Sequence, residues 1–183
     1  MVAENQGTRR FTADEVWRLV EIGVLREDER VELIDGELIV MNAQGPIHAS
    51  LTVILRGALE AAFGPGHHVR DHSPVIGTVD SIPEPDIAVV VGNVRAFLSR
   101  TPGPKEVPLV VEVSWSSLRL DHRKAHIYAA AGYATYWIVD VEARRIEVHT
   151  APKGGVYTKS EIIGDDGEVR AGERAIKVAD LLP

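Results

Sequence analysis

Cysteine is absent, which excludes disulfides, thiolate metal sites and a cysteine nucleophile. Long apolar runs are also missing: none approaches the ~20 residues that a membrane helix requires. The opening stretch, MVAENQGTRR, lacks the apolar region of a signal peptide. A cytoplasmic protein with no membrane attachment is the expectation. Positive charge is in deficit, with 20 Lys and Arg against 27 Asp and Glu and a formal net charge of −7. This argues against a generalised nucleic-acid binder, because affinity for phosphates comes mainly from Lys and Arg. A local basic groove would need the fold to gather Arg56, Arg70, Arg95, Arg100, Lys105, Arg119, Arg123 and Lys124. Scattered solvated charges are the simpler expectation. No Gly-rich phosphate loop appears, so no nucleotide cofactor is expected.

What is present suits an ordinary folded domain. The chain has 183 residues, 45% of them hydrophobic, enough for one real core. Residues 1–10 are expected to be disordered and 11–183 to form a single domain. TADEVWRLVEI begins with Thr12 and Glu15 in capping-box spacing and reads as a helix with a Val16, Leu19, Val20 stripe. RVELIDGELIVM places two β-rich runs around Asp35-Gly36, a strong hairpin signal. Pro46 to Phe63 reads as a second helix, stopped by Gly64-Pro65-Gly66. HHVRD, SPVIGTV and PDIAVVV read as short strands, and 92–106 as a loop expected to be mobile. VPLVVEVS is a core strand, LRLDHRKAHIYAAAG a helix ended by Gly132, and ATYWIVD a further core strand. Antiparallel edge strands follow. The span 107–140 is then a βαβ unit, and the class is α+β (α/β): a mixed sheet flanked by helices, with an N-terminal helix and hairpin extension.

One carboxylate stands out. Glu112 lies between Val111 and Val113 in an apolar strand, where an ionised group costs several kcal/mol, or goes neutral, unless it is compensated. Strand alternation points Val110, Glu112 and Ser114 one way, and Asp86 with Ala88 and Val90 along the preceding strand. If these strands are neighbours, Asp86 and Glu112 converge at one end of the sheet. A divalent cation would make their joint ionisation tolerable, since Mg²⁺ commonly takes one or two protein carboxylates and keeps several waters. In the next helix Asp121, Lys124 and Tyr128 share a face. Lys124 can reach the mouth of such a site, or can form a surface pair with Asp121 worth under about 1 kcal/mol.

The order Pro85-Asp86, Glu112 in a hydrophobic strand and then a lysine resembles the PD-(D/E)XK nucleases. More specifically, RVELIDGELIVM, PIHASL, PEPDIAVV, PLVVEVSWSSLRLDHRKAHIYAAAGYATYWIVD and IEVH together resemble the Uma family of restriction endonuclease-like proteins. The resemblance runs from about Thr12 to the C-terminus and is most specific over 108–140. It implies a restriction-endonuclease-like core and metal-dependent phosphodiester cleavage, with DNA as substrate, Asp86 and Glu112 as ligands of Mg²⁺ (or Mn²⁺), and a homodimer. Where that pattern calls for lysine, two residues after Glu112, this chain has Ser114. The resemblance makes Lys124 the substitute, as a migrated lysine. Glu32, in a matched segment, is either a supplementary metal or water ligand or a strand residue facing solvent. His48, in PIHAS, is a phosphate contact, a proton carrier or a structural residue. The alternative to an active nuclease is a silent nuclease-fold module that binds DNA or a protein partner.

Other features carry less. His122 and His126 have the i, i+4 spacing of a zinc pair, but Arg123 stands where a general-base Glu is required. The serines of SWSS lack the turn of a serine hydrolase and are expected to cap the following helix or contact phosphates. Trp17, Trp115 and Trp137 are expected in the core or an interface.

Overall fold

A computed structural model describes residues 8–26 and 28–183. The disorder expected for the first residues falls, for 1–7, outside the described residues. Helix α1 (Ala13–Glu21) starts where the sequence places it, with Thr12 and Glu15 closing a reciprocal capping box. Strands β1 (Val31–Ile34) and β2 (Glu37–Val40) form the hairpin. At its turn Asp35 and Gly36 both have positive φ, 48° and 79°, the geometry of a type I′ connection. Helix α2 runs Pro46–Phe63 and turns Leu51, Leu55 and Leu59 inward.

The main sheet has six strands: β3 (His67–Asp71), β4 (Ile87–Val91), β5 (Leu109–Ser114), β6 (Thr135–Asp140), β7 (Arg145–Lys153) and β8 (Val156–Gly164). They lie in chain order across the sheet. β5 and β6 are parallel and are joined by helix α3 (Leu118–Ala131), while the other neighbours are antiparallel. Gly132 ends α3 with φ 94°, a left-handed conformation that glycine adopts freely. A second hairpin, β9 (Glu168–Ala171) and β10 (Arg174–Lys177), closes the chain. The expected strand SPVIGTV is not one. Residues 73–79 form an irregular connection, with Val75 bound to Pro83 and Ile76 to Pro102 instead of a strand ladder.

Alternation of side chains divides the core in two. Val111 and Val113 of β5, Ile87 and Val89 of β4 and Trp137 of β6 pack against α2. Val110, Ala88, Val90, Tyr136 and Ile138 pack on the opposite face with Tyr128 and Tyr133 at α3 and its end. Glu112 belongs to this second face. The α3 crossover therefore covers the strand that carries it. Of the three tryptophans, Trp137 is buried as expected, whereas Trp17 and Trp115 are each 44% exposed. Trp115 lies just past the end of β5, where the chain leaves the sheet, so alternation no longer governs its direction.

Candidate active site

β4 and β5 are antiparallel neighbours, with Ile87 opposite Val111, so the residue before β4 lies beside the last turnings of β5. Asp86 and Glu112 meet there. The Asp86 amide donates to Glu112 Oε2 at 3.3 Å, and the Val113 amide donates to Asp86 Oδ2 at 2.7 Å. Two imidazoles flank Asp86. His48 Nε2, from the first turn of α2, is 3.1 Å from Oδ2, and His72 Nδ1 is 3.3 Å from Oδ1. His72 has a φ of 42°, uncommon for a side-chain-bearing residue and often found where function imposes strain.

Lys124 is buried, not on the surface. Its ammonium lies 2.8 Å from Glu32 and 3.1 Å from Glu112, and Tyr128 donates its hydroxyl to Glu112 at 2.8 Å. A Lys124–Asp121 surface pair is therefore not what forms. The partner comes from β1, because the hairpin turns Glu32 inward, where it is 3% exposed instead of facing solvent. The hairpin is held to α3 by Arg123, which binds Asp35 at 2.6 Å and Glu37 at 3.1 Å. Ser114 points with Glu112, buried and with no hydrogen-bond partner for its hydroxyl among the described residues. Ser117 occupies the N-cap position of α3 but does not cap it. Its hydroxyl donates to Asp121 at 2.7 Å.

Charge in this space is unbalanced. Burial pushes the Glu112 carboxyl well above its ordinary range; Lys124 opposes this, and Asp86, Asp121 and Glu32 add to it. Glu32 and Asp121 are raised as well, each chiefly by burial. Burial also acts to raise Asp86, but hydrogen bonds from His48 and His72 outweigh it and hold that carboxyl below the usual range. The bond to Asp86 in turn raises His48. Lys124 loses solvent, yet Glu112 and Glu32 more than compensate and keep it charged. Two carboxyl groups thus contact one ammonium, and Asp86 and Asp121 add to the negative charge felt at Glu112.

That excess of negative charge is what a divalent cation would relieve. Among the described residues, no group of three or more His, Asp or Glu side chains forms a ready metal cage. The pair Asp86 and Glu112 nevertheless supplies as many protein carboxylates as Mg²⁺ commonly takes. The donor set fits a hard cation that retains waters.

The pair opens into a cavity of about 540 Å³. Its wall includes Val40, Ile47 and Trp115 besides Lys124 and Asp121. A smaller cavity of about 230 Å³ also adjoins Asp86 and is lined by Asp28, Glu29, Arg30, Glu32, His72 and Glu84. Of the residues singled out from sequence, Asp86, Glu112, Lys124, Glu32 and His48 all come together here, with Ser114 beside them. Three contributors were not anticipated in their roles: His72, Tyr128 and Trp115. Tyr128 carried a signal, since it shares the helical stripe of Asp121 and Lys124. His72 carried none, because its position depends on β3 lying next to β4.

The architecture and the paired acids define a nuclease-type fold. The chain belongs to the Uma2 family, described as "Putative restriction endonuclease", which it matches over residues 15–181. Its structure is similar to a crystal structure of "a putative nuclease belonging to DUF820" from Anabaena variabilis. The TM-score is 0.74 at 17% identity, over 93% of this chain and 97% of that one. No curated protein matches the chain. No helix among the described residues is long and apolar enough to cross a membrane.

Proposed function

We propose that the chain is a metal-dependent endonuclease that hydrolyses phosphodiester bonds in DNA. The observation that carries this reading is the meeting of Asp86 and Glu112 where β4 begins and β5 ends, on the wall of a cavity of about 540 Å³. Asp86 and Glu112 would hold Mg²⁺ or Mn²⁺. Such a cation supplies charge neutralisation at a phosphate oxygen and lowers the pKa of water. The remaining work falls to the chain. His48 and His72 orient the Asp86 carboxylate, and Tyr128 fixes Glu112. Lys124 provides a permanent positive charge for the phosphate as it becomes more negative. Family membership supports a nuclease-like function without specifying DNA.

A second reading, a silent nuclease-fold module that binds DNA or a protein partner, is favoured by one observation. The Lys124 ammonium is closed between two carboxylates, and Ser114 brings no charge in its place. Purified protein incubated with supercoiled and single-stranded DNA, with Mg²⁺, Mn²⁺ or EDTA, distinguishes the two. Metal-dependent nicking that disappears in both Asp86→Asn and Glu112→Gln supports the enzyme. Nicking that survives both substitutions points to a contaminant, and binding without nicking supports the silent module. The homodimer is a further proposal, to be read by light scattering: a monomer at micromolar concentration contradicts it.

A further inference from the structure

We infer that the substrate class is single-stranded DNA, with Trp115 as a stacking platform for a base beside the scissile phosphate. The inference rests on the nuclease reading above and adds the form of nucleic acid taken. Trp115 is three residues from Glu112 and lines the same cavity, with 44% of its surface exposed. Ile47, 44% exposed, and Val40, 77% exposed, extend this apolar wall above the acids.

The charges in the wall do not suit a duplex. Among the described residues, Arg30 and Lys124 are its basic side chains, and Lys124 is buried between Glu32 and Glu112. Several of the other basic residues are held by acids outside the cavity. Arg56 pairs with Glu60 and Asp71, Arg100 with Glu106, and Arg123 with Asp35 and Glu37. The cavity wall itself, among the described residues, therefore offers little positive charge to neutralise the several phosphates on which duplex affinity depends. Duplex DNA also hides its base faces in the stack, so an exposed indole and two aliphatic side chains would contact nothing suited to them. A single strand presents base faces, and each one stacked on an aromatic side chain adds binding that needs no additional positive charge. The adjoining cavity is lined by Asp28, Glu29, Glu32 and Glu84 with Arg30 and His72, and among the described residues offers no exposed aromatic ring of the kind Trp115 presents. The exposed indole places the strand on the Trp115 side.

The test is fluorescence anisotropy of a labelled short oligothymidylate and of its duplex with oligodeoxyadenylate. Ca²⁺ is present to offset the site's acids, and the intact length of the oligonucleotides is checked on a gel. Wild type and Trp115→Phe should bind the single strand several-fold more tightly than the duplex. Trp115→Ala should weaken single-strand binding about 5- to 150-fold and leave duplex binding unchanged. In wild type the single strand should also quench indole emission, and this quenching should disappear in Trp115→Phe while binding persists. Duplex binding as tight as single-strand binding, or Trp115→Ala binding the strand like wild type, overturns the inference. Cleavage in Mg²⁺ is read separately. Trp115-dependent binding without cleavage removes the nuclease reading and leaves the platform; Mg²⁺-dependent duplex cleavage indifferent to Trp115→Ala does the reverse.

Discussion

Asp86 and Glu112 each bind the backbone of the other's strand: the Glu112 carboxylate accepts the Asp86 amide at 3.3 Å, and the Asp86 carboxylate accepts the amide of Val113 at 2.7 Å. These bonds fix both side chains against adjacent strands of a rigid sheet. Charge at this point can then be changed by substitution without moving the backbone that presents it. Asp86→Asn and Glu112→Gln keep the shapes and remove one negative charge each. Each is expected to lower metal-dependent cleavage at least about 100-fold, as for loss of a group stabilising charge in a transition state. Each should also abolish the rise in melting temperature that Mg²⁺ gives the wild type, which differential scanning fluorimetry reads independently of turnover.

Lys124 and its two carboxylates behave as a unit. Removing the ammonium in Lys124→Met leaves Glu32 and Glu112 buried without their partner, which is expected to destabilise the fold by about 3–5 kcal/mol. Glu32→Gln should cost less, because Lys124 keeps Glu112. The double variant should be more stable than the sum of the two losses predicts, since the second change removes a charge that the first has orphaned. Urea unfolding of all four proteins checks this, and simple additivity would show that the pair is not coupled.

The pH dependence follows from opposite shifts. Glu112 is raised, by burial first and then by its acidic neighbours, so the cation-free fold holds its proton more firmly than the unfolded chain does. The stability this group contributes is full below the ordinary Glu range and is lost as pH rises through its folded value. Asp86 is lowered, because His48 and His72 overcome the effect of burial. Its contribution is present above the ordinary Asp range and is lost as pH falls toward its folded value. A cation at the pair must displace the Glu112 proton. The melting-temperature rise given by Mg²⁺ should therefore grow as pH rises above the ordinary Glu range, and a flat profile would contradict the assignment.

Gly36 sits at the hairpin turn against Arg10 and Phe11. A Cβ there would lie 2.5 Å from Arg10 Cβ and 3.2 Å from the Phe11 carbonyl, at a φ of +79°. Gly36→Ala should destabilise the fold by about 1–3 kcal/mol and loosen the strand that delivers Glu32. Gly23, at φ +73° with nothing within 4 Å, is the control: Gly23→Ala carries the backbone strain without the collision. Equal losses in the two variants, measured by urea unfolding, would show that the Arg10 contact is immaterial.

Much of this arrangement was legible in the chain. Helix α2 is bounded by Pro46 at its start and Gly64 after its end, and the Asp35-Gly36 turn specifies the hairpin; both signals are local. The convergence of Asp86 and Glu112 also follows from period-2 alternation, given that β4 and β5 are neighbours. What could not be read is non-local. Glu32 and Lys124 are 92 residues apart, and nothing in either segment reports that the hairpin folds over α3. An i, i+3 spacing made Asp121 the nearer partner for Lys124, but burial selected Glu32 and Glu112. Residues 73–79 show the same limit. Alternation there suggested a strand, while the backbone bonds of Val75 and Ile76 go to Pro83 and Pro102. For Trp115 the sequence leaves core and interface both open; its position past the end of β5 keeps it out of the core, 44% exposed.

Anomalous diffraction from crystals soaked in Mn²⁺ tests the central claim most directly. The account predicts a manganese peak with carboxylate oxygens of both Asp86 and Glu112 in its coordination shell, at bond lengths on the order of 2 Å, and no such peak in Asp86→Asn. A manganese ion bound elsewhere while this pair stays bare, or the pair keeping only its protein partners at saturating Mn²⁺, would contradict it.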